Sequence, residues 1–180
     1  MKSLEETTFA IIGLGLIGGS YAKALKNRNA HKIIGMDRNH IVSLMAKDEG
    51  YITDIADEDP SLLQGADIII CAMYPGAFVS FVKDHVKYFK KDVLLTDVMG
   101  IKGSIPDEID RLLGRNGICI GASIADGRKE DTVKVPPGFS KEQNFIVIKR
   151  KENRPENVAW LRAIALQIGC GRVVNYLPGA

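Results

Sequence analysis

Three glycines within the first twenty residues stand at the spacing Gly-x-Gly-x-x-Gly. The run from Gly13 through Gly15 to Gly18 follows a short apolar segment and leads directly into a helical pattern. Gly13 allows a tight strand-to-helix turn, Gly15 lacks a Cβ that would hold a phosphate away, and Gly18 lets the helix pack close to the strand. The free N–H groups at the start of that helix suit a pyrophosphate. The spacing therefore predicts a dinucleotide-binding turn, with a purely structural glycine turn as the alternative.

An aspartate follows the glycines at an informative distance. The apolar segment at residues 32–36 reads as a second strand and ends in Asp37, which lies 37 − 18 = 19 residues after Gly18. This is close to the interval expected for the acid that binds the adenosine ribose hydroxyls. A carboxylate there repels a 2′-phosphate, which favours NAD. Arg38 could instead pair with that phosphate, so NADP is also a possible cofactor.

Composition excludes several other classes of function. The chain has 180 residues, 46% of them hydrophobic, and a formal charge of +2 that gives no case for nucleic acid or an anionic membrane. No apolar run approaches a membrane span and the N-terminus lacks a signal-peptide core, so we expect a cytoplasmic protein. Three scattered cysteines, and no His/Cys/carboxylate cluster at ligand spacing, predict buried inert thiols and no metal site.

The remaining sequence must supply the elements that position this turn. Apolar strand patterns alternate with helical ones, which predicts an α/β fold with a doubly wound, mostly parallel sheet in one domain over residues 1–180. Further strands are expected at residues 66–73, 93–97, 117–121, 144–149 and 172–176. Helices are expected at residues 40–48, 78–89, 105–114 and 155–168, with Asn39 and Asn153 as caps. The polar residues 122–143 are interpreted as a functional or mobile loop.

This architecture predicts where further cofactor contacts lie. Ligands of open α/β sheets bind at the carboxyl ends of the strands, where the strand order reverses. That crevice is expected between the first strand and the strand at 66–73, so Met73, Tyr74 and Pro75 would face the nicotinamide half. Asp97 would lie nearby. Tyr74-Pro75 could instead simply end the strand, without a role at the cofactor. Asp97 could likewise be only a turn or cap residue.

Three motifs together resemble the nucleotide-binding domain of prephenate dehydrogenases, over nearly the whole chain. They begin at Gly13, at Asp37 and at Thr96, the last reading Thr-Asp-Val-Met-Gly-Ile-Lys-Gly. The resemblance implies a Rossmann-type domain that uses NAD or NADP for the oxidative decarboxylation of prephenate or arogenate, on the route to tyrosine. The residues that it implies at the cofactor are Gly13, Gly15, Leu16, Ile17, Gly18, Asp37, Met73, Tyr74, Pro75 and Asp97.

Three departures from that family qualify the expected activity. Ser123 stands where the family's catalytic histidine is expected, and losing a general base costs about 10²–10⁴-fold in rate. Asp126 is the nearest carboxylate that could replace it. Gly100 stands where the family loop commonly has a serine. The sequence also ends about where the family's helical domain, which supplies basic residues to the substrate and dimerises, would begin.

Three hypotheses about the function of the chain remain after its motifs are compared with those of the family. The leading one is an NAD(P)-dependent oxidoreductase domain of prephenate dehydrogenase type, impaired by Ser123 and by the missing domain. A second is a non-catalytic NAD(P)-binding module or partner subunit, and a third is a methyltransferase that holds S-adenosylmethionine over the glycine turn. The sequence leaves two choices open: whether the substrate is prephenate or arogenate, and whether the chain is a monomer or a homodimer.

Overall fold

A computed structural model describes residues 1–98, 103–114, 117–126, 139 and 143–177 of the chain. The strands in this part are β1 (Thr8–Ile12), β2 (Lys32–Met36), β3 (Asp54–Ile55), β4 (Ile68–Cys71), β5 (Val93–Asp97), β6 (Gly117–Asp126), β7 (Gln143–Ile148) and β8 (Arg172–Tyr176). The α-helices are α1 (Leu16–Asn27), α2 (His40–Asp48), α3 (Pro75–His85), α4 (Ile105–Leu113) and α5 (Pro155–Gln167). Short 3₁₀ turns cover Leu4–Glu6, Pro60–Gly65 and Val86–Tyr88.

The described strands form one sheet in the order β3-β2-β1-β4-β5-β6-β7-β8. Neighbouring strands are parallel except that β7 runs antiparallel to β6. The chain moves outward from β1 to β3 and then returns to place β4 on the other side of β1. This confirms the predicted doubly wound, mostly parallel sheet, and the strand order reverses between β1 and β4 as expected.

The neighbouring strands β1 and β4 are apolar except for Thr8 because elements cover both faces of the sheet there. Phe9 and Ile11 of β1 belong to the core on one face, whereas Ala10 and Ile12 belong to the core on the other. The residues of β4 alternate in the same way and are all buried. A continuous apolar run is what a strand buried on both faces requires.

Most element boundaries agree with the sequence analysis, and the Asn39 side chain accepts a hydrogen bond from the Ile41 N–H at the start of α2. The cap predicted at Asn153 is wrong. Its side-chain oxygen accepts from the Arg150 N–H, its amide donates to the Cys119 carbonyl, and the helix begins at Pro155 with Arg154 in the cap position. The Asn153 side chain therefore closes a loop against β6 instead of capping α5.

Two strands differ in length from their predicted ranges. The strand expected at residues 66–73 is limited to Ile68–Cys71, because Ala66 ends the preceding 3₁₀ turn and the ladder stops at Cys71. The strand expected at 117–121 continues to Asp126, because β7 pairs with it as far as that residue. The first residues of the predicted loop at 122–143 are therefore strand.

No helix in the described ranges has both the length and the apolar composition needed to cross a bilayer.

Candidate functional site

The predicted cofactor loops begin at one level of the sheet. Ile12 at the end of β1 is in register with Met36 of β2 and with Cys71 of β4, and Cys71 is in register with Asp97 of β5. The loops that follow these four strands therefore leave the same carboxyl edge. This edge brings together the glycine turn, Asp37, the residues 73–75 and Asp97.

Two of the three glycines are required by packing within the protein. Gly13 has a φ of +88°, and a Cβ there would lie 2.3 Å from the Ala72 carbonyl oxygen. A Cβ on Gly18 would lie 1.7 Å from the Gly13 carbonyl oxygen. Both distances are far inside van der Waals contact, so these glycines let the β1–α1 turn pack directly against the end of β4.

Gly15 differs from its neighbours because nothing in the described structure occupies the space beside it. A Cβ built there meets no atom within 4 Å, and its φ of −68° is open to any residue. It precedes α1, whose first residues, Leu16 and Ile17, are exposed. The first N–H groups of a helix have no acceptor within the helix. A bare backbone and outward-facing donors together form a cradle that fits a pyrophosphate.

The Asp37 carboxylate is held in place by two backbone donors. One of its oxygens accepts from the Leu14 N–H at 2.8 Å, and the other accepts from the Asn39 N–H at 2.8 Å. The acid predicted for the ribose is therefore tied directly to the glycine turn. Arg38, beside it, is exposed.

Sequence reasoning missed the group that lies behind Asp37. Asp57 follows β3, and one of its carboxylate oxygens accepts from the Asp37 N–H at 2.9 Å. The other oxygen lies 2.7 Å from Nδ1 of His40. Only the pairing of β3 with β2 brings Asp57 to this edge, and a two-residue strand gives little signal in a sequence.

The residues 73–75 form the start of α3 on the other side of the crevice. Tyr74 occupies the N-cap position with its side chain 88% exposed, and Pro75 fills the first position of the helix. Met73 is partly buried against the apolar core on that face of the sheet. Tyr74-Pro75 thus begins a helix at the predicted crevice, after β4 has already ended at Cys71.

Asp97 ends β5 and is only 1% exposed. The Tyr21 hydroxyl on α1 is also buried. Unlike most buried polar groups, this hydroxyl has no hydrogen-bond partner in the described structure. Burial raises the pKa of Tyr21 well above its usual value, and the nearby Cys170 and Asp97 raise it further. Burial likewise raises the pKa of the Cys71 thiol. Tyr21 and Cys71 therefore stay neutral at physiological pH.

The predicted catalytic positions lie on β6. Ser123 pairs with Ile146 and Asp126 with Gln143, and Gly121 of the same strand is in register with Asp97. The backbone of β6 thus continues past the carboxyl end of β5. Gly100 lies outside the described residues, as does most of the loop expected after Asp126. Among the residues that the structure describes, no group of three or more His, Cys, Asp or Glu side chains could hold a metal ion.

The sequence comparison decides the family. A family model described as "Prephenate dehydrogenase, nucleotide-binding domain" matches residues 21–174, more than four fifths of the chain. The chain belongs to this family. The match begins just after the glycine turn, so the turn is supported by its own geometry rather than by the matched range.

Curated prephenate dehydrogenases are similar to the chain over most of its length. The Bacillus subtilis (strain 168) enzyme is 29% identical over 150 residues, which cover 82% of this chain and 40% of that protein. The Lactococcus lactis subsp. cremoris (strain MG1363) enzyme is 26% identical over 160 residues, covering 85% of this chain and 44% of that protein. The chain thus spans less than half the length of these relatives.

Solved structures share the fold at lower identity. Prephenate dehydrogenase from A. aeolicus, in complex with hydroxyphenyl propionate and NAD⁺, has a TM-score of 0.79 and 21% identity, over 98% of this chain and 61% of that one. Synechocystis arogenate dehydrogenase has a TM-score of 0.77 and 24% identity, over 94% of this chain and 59% of that one. At these identities the likeness shows the fold alone.

Proposed function

We propose that this chain is the NAD-binding unit of a prephenate dehydrogenase-type oxidoreductase, which acts on prephenate or arogenate in the route to tyrosine. The observation that carries the proposal is Gly15, where no packing within the described protein calls for a glycine but an approaching phosphate does. The family membership and the NAD⁺-bound relative from A. aeolicus support the same cofactor.

The described residues have distinct parts in this proposal. The N–H groups of Leu16, Ile17 and Gly18 bind the pyrophosphate, and Gly15 leaves the space for it. Asp37 accepts hydrogen bonds from the adenosine ribose through lone pairs that Leu14 and Asn39 leave available. Bound NAD supplies a hydride acceptor.

The far side of the crevice orients the nicotinamide half in this proposal. Met73, Tyr74 and Pro75 form the wall along it, and Asp97 ends the strand below. The exposed Tyr74 ring offers a large, rigid apolar surface beside the crevice, and such surfaces exclude water from a ligand that packs on them.

Asp37 also makes NAD the preferred cofactor. The two backbone hydrogen bonds hold its carboxylate in place, so rotating it away from a 2′-phosphate would break both of them. A dianionic phosphate would therefore face a fixed negative charge. We expect the exposed Arg38 to offset only part of this repulsion, because a solvated cation is screened.

Titration calorimetry of the chain with NAD, NADP and S-adenosylmethionine tests the proposal. We expect NAD to bind most tightly and, at a hundredfold excess over Kd, to stabilise the chain by about 2.7 kcal/mol. For a domain of this size that raises Tm by roughly 5–10 °C. Absence of NAD binding at millimolar concentration would contradict the proposal, and binding of S-adenosylmethionine alone would indicate a methyltransferase.

A second candidate function is a non-catalytic NAD-binding module, and Ser123 is the observation that favours it. A serine hydroxyl is not basic near neutral pH, so the chain has no evident general base where the family places one. For such a module we expect NADH formation from prephenate or arogenate to be at least about 10²–10⁴-fold below that of a histidine-bearing relative, which is the loss that a missing general base alone would cause. Ser123→His should raise the rate; a wild-type rate equal to that of the relative would rule this function out.

A further inference from the structure

Two aspartates tie together three of the loops at the carboxyl edge of the sheet. Asp57 accepts from the Asp37 N–H and lies 2.7 Å from Nδ1 of His40, while Asp37 accepts from the N–H groups of Leu14 and Asn39. The loops after β1, β2 and β3 are therefore connected by carboxylates. We infer that Asp57 is a positioning residue for cofactor binding, which sets the place of the Asp37 carboxylate. This inference rests on the proposed NAD-binding function.

Asp57 acts on the backbone of the loop that carries Asp37, and it does not contact the ligand in this proposal. Its side chain is only 8% exposed, so it is not part of the open surface of the crevice. Asp57 accepts a hydrogen bond from the backbone N–H of Asp37, and this bond fixes the peptide unit from which the ribose-binding side chain extends. Because hydrogen bonds to an ionised group are stronger than neutral ones, this anchor resists displacement of the loop.

His40 supplies the second support for Asp57. An ionised carboxylate only accepts hydrogen bonds, so His40 Nδ1 is the donor in this 2.7 Å contact. His40 is the first residue of α2, directly after the Asn39 cap. The contact thus fixes the start of α2 against the loop after β3, and the loop between β2 and α2 is held at both ends.

The functional consequence concerns the choice between cofactors. Groups that hydrogen-bond to a binding residue hold its orientation, and at metal sites their removal costs about 10–100-fold in affinity. Binding sites in general depend on the same kind of support. Without Asp57, the Asp37 carboxylate moves from its fixed position. The ribose hydroxyls of NAD then lose a directed acceptor, and a 2′-phosphate meets a carboxylate that is able to move aside. Affinity for NAD falls and discrimination against NADP falls with it.

The test measures the Kd of NAD and of NADP for the whole 180-residue chain and four variants. Asp57→Ala removes both contacts, and Asp57→Ser keeps a polar side chain too short to reach both partners. Asp57→Asn keeps an oxygen that accepts from the Asp37 N–H. Asp59→Ala is the matched control, since it removes the same charge from the same loop but Asp59 contacts Ser61 instead.

We expect Asp57→Ala and Asp57→Ser to weaken NAD binding roughly tenfold and to reduce the ratio of NAD to NADP affinity several-fold. Asp57→Asn should stay within about threefold of wild type, and Asp59→Ala should match wild type. If Asp57→Ala does not fold, Asp57→Ser provides the same comparison. Equal losses for NAD and NADP would indicate a merely structural role and overturn the inference, as would unchanged binding.

Wild-type binding separates this inference from the proposed function. If the wild-type chain binds neither cofactor, both fail. If it binds NAD and the Asp57 variants bind it equally well, only the positioning role fails.

Discussion

At the scale of single residues, the glycines of the first turn are glycine for different reasons. Gly18 packs against the Gly13 carbonyl, whereas Gly15 borders open space. We expect Gly15→Val to leave the free energy of unfolding within about 1 kcal/mol of wild type, because its backbone angles are ordinary. The same change should abolish measurable NAD binding, because the new side chain fills the phosphate position. Urea unfolding and calorimetry measure the two effects.

Gly18→Ala should show the opposite pattern. Its Cβ would overlap the Gly13 carbonyl oxygen, so we expect a destabilisation of at least about 3 kcal/mol. Gly19→Ala is the matched control, because its Cβ would lie 3.5 Å from the Leu14 carbonyl oxygen, an ordinary contact. That control should be as stable as wild type or up to about 1 kcal/mol more stable. A Gly18→Ala variant with wild-type stability would contradict the geometry of the turn.

The candidate site could be predicted from the sequence only where its signal is local. Gly13, Gly15, Gly18 and Asp37 follow each other at fixed intervals, because one strand-helix-strand unit positions all of them. Asp57 gave no such signal, since its place depends on the pairing of β3 with β2.

At the scale of elements, Arg150 joins α4 to the sheet. Its guanidinium pairs with Asp107 at 3.0 Å and with Asp110, and also donates to the Cys119 carbonyl in β6. Its side chain is largely buried, so removing it leaves Asp110 and a strand carbonyl without this donor. We expect Arg150→Ala to lower the free energy of unfolding by about 2 kcal/mol.

The control for Arg150 is Arg154→Ala, because Arg154 is exposed at the start of α5. Chemical denaturation should show it within about 0.5 kcal/mol of wild type. Equal effects of the two substitutions would show that the Arg150 contacts do not stabilise the packing of α4.

The elements themselves followed closely from the sequence where apolar periodicity was strong. The strands at 32–36, 93–97 and 172–176 have the predicted bounds. The extension of β6 to Asp126 was missed because its partner β7 begins seventeen residues later, and pairing across that distance leaves no local pattern. Asn153 was wrongly predicted to cap α5, because asparagine is common both at helix caps and in loops that its side chain closes.

At the scale of the whole molecule, Asp67 connects the N-terminal segment to the sheet. Its carboxylate accepts from the Thr8 N–H and pairs with Lys2 at 2.9 Å and with Lys90. Burial alone would raise the pKa of Asp67, but the hydrogen bonds from Lys90, Thr8 and Lys2 outweigh it and hold the pKa below the usual 3.8.

The sign of the pH effect follows from that lowered pKa. The contribution of Asp67 to stability is present above the pKa of the unfolded chain and is lost as pH falls through the lower folded value. Asp67→Asn should therefore cost about 1 kcal/mol at pH 7, and the difference from wild type should shrink below about pH 4. Asp92→Asn, which changes a carboxylate lining the same surface cavity, is the control and should stay within about 0.5 kcal/mol of wild type. Urea denaturation at a series of pH values measures this, and a difference that grows on acidification would contradict it.

Amide NMR of the labelled chain during an NAD titration shows whether the glycine turn and Asp37 bind NAD, as we claim. We predict that the largest shift changes fall on the amides of Gly15, Leu16, Ile17, Gly18 and Asp37, while those of β8 stay fixed. If saturating NAD leaves the amides of the glycine turn unchanged, or moves only signals at another edge of the sheet, the claim is wrong.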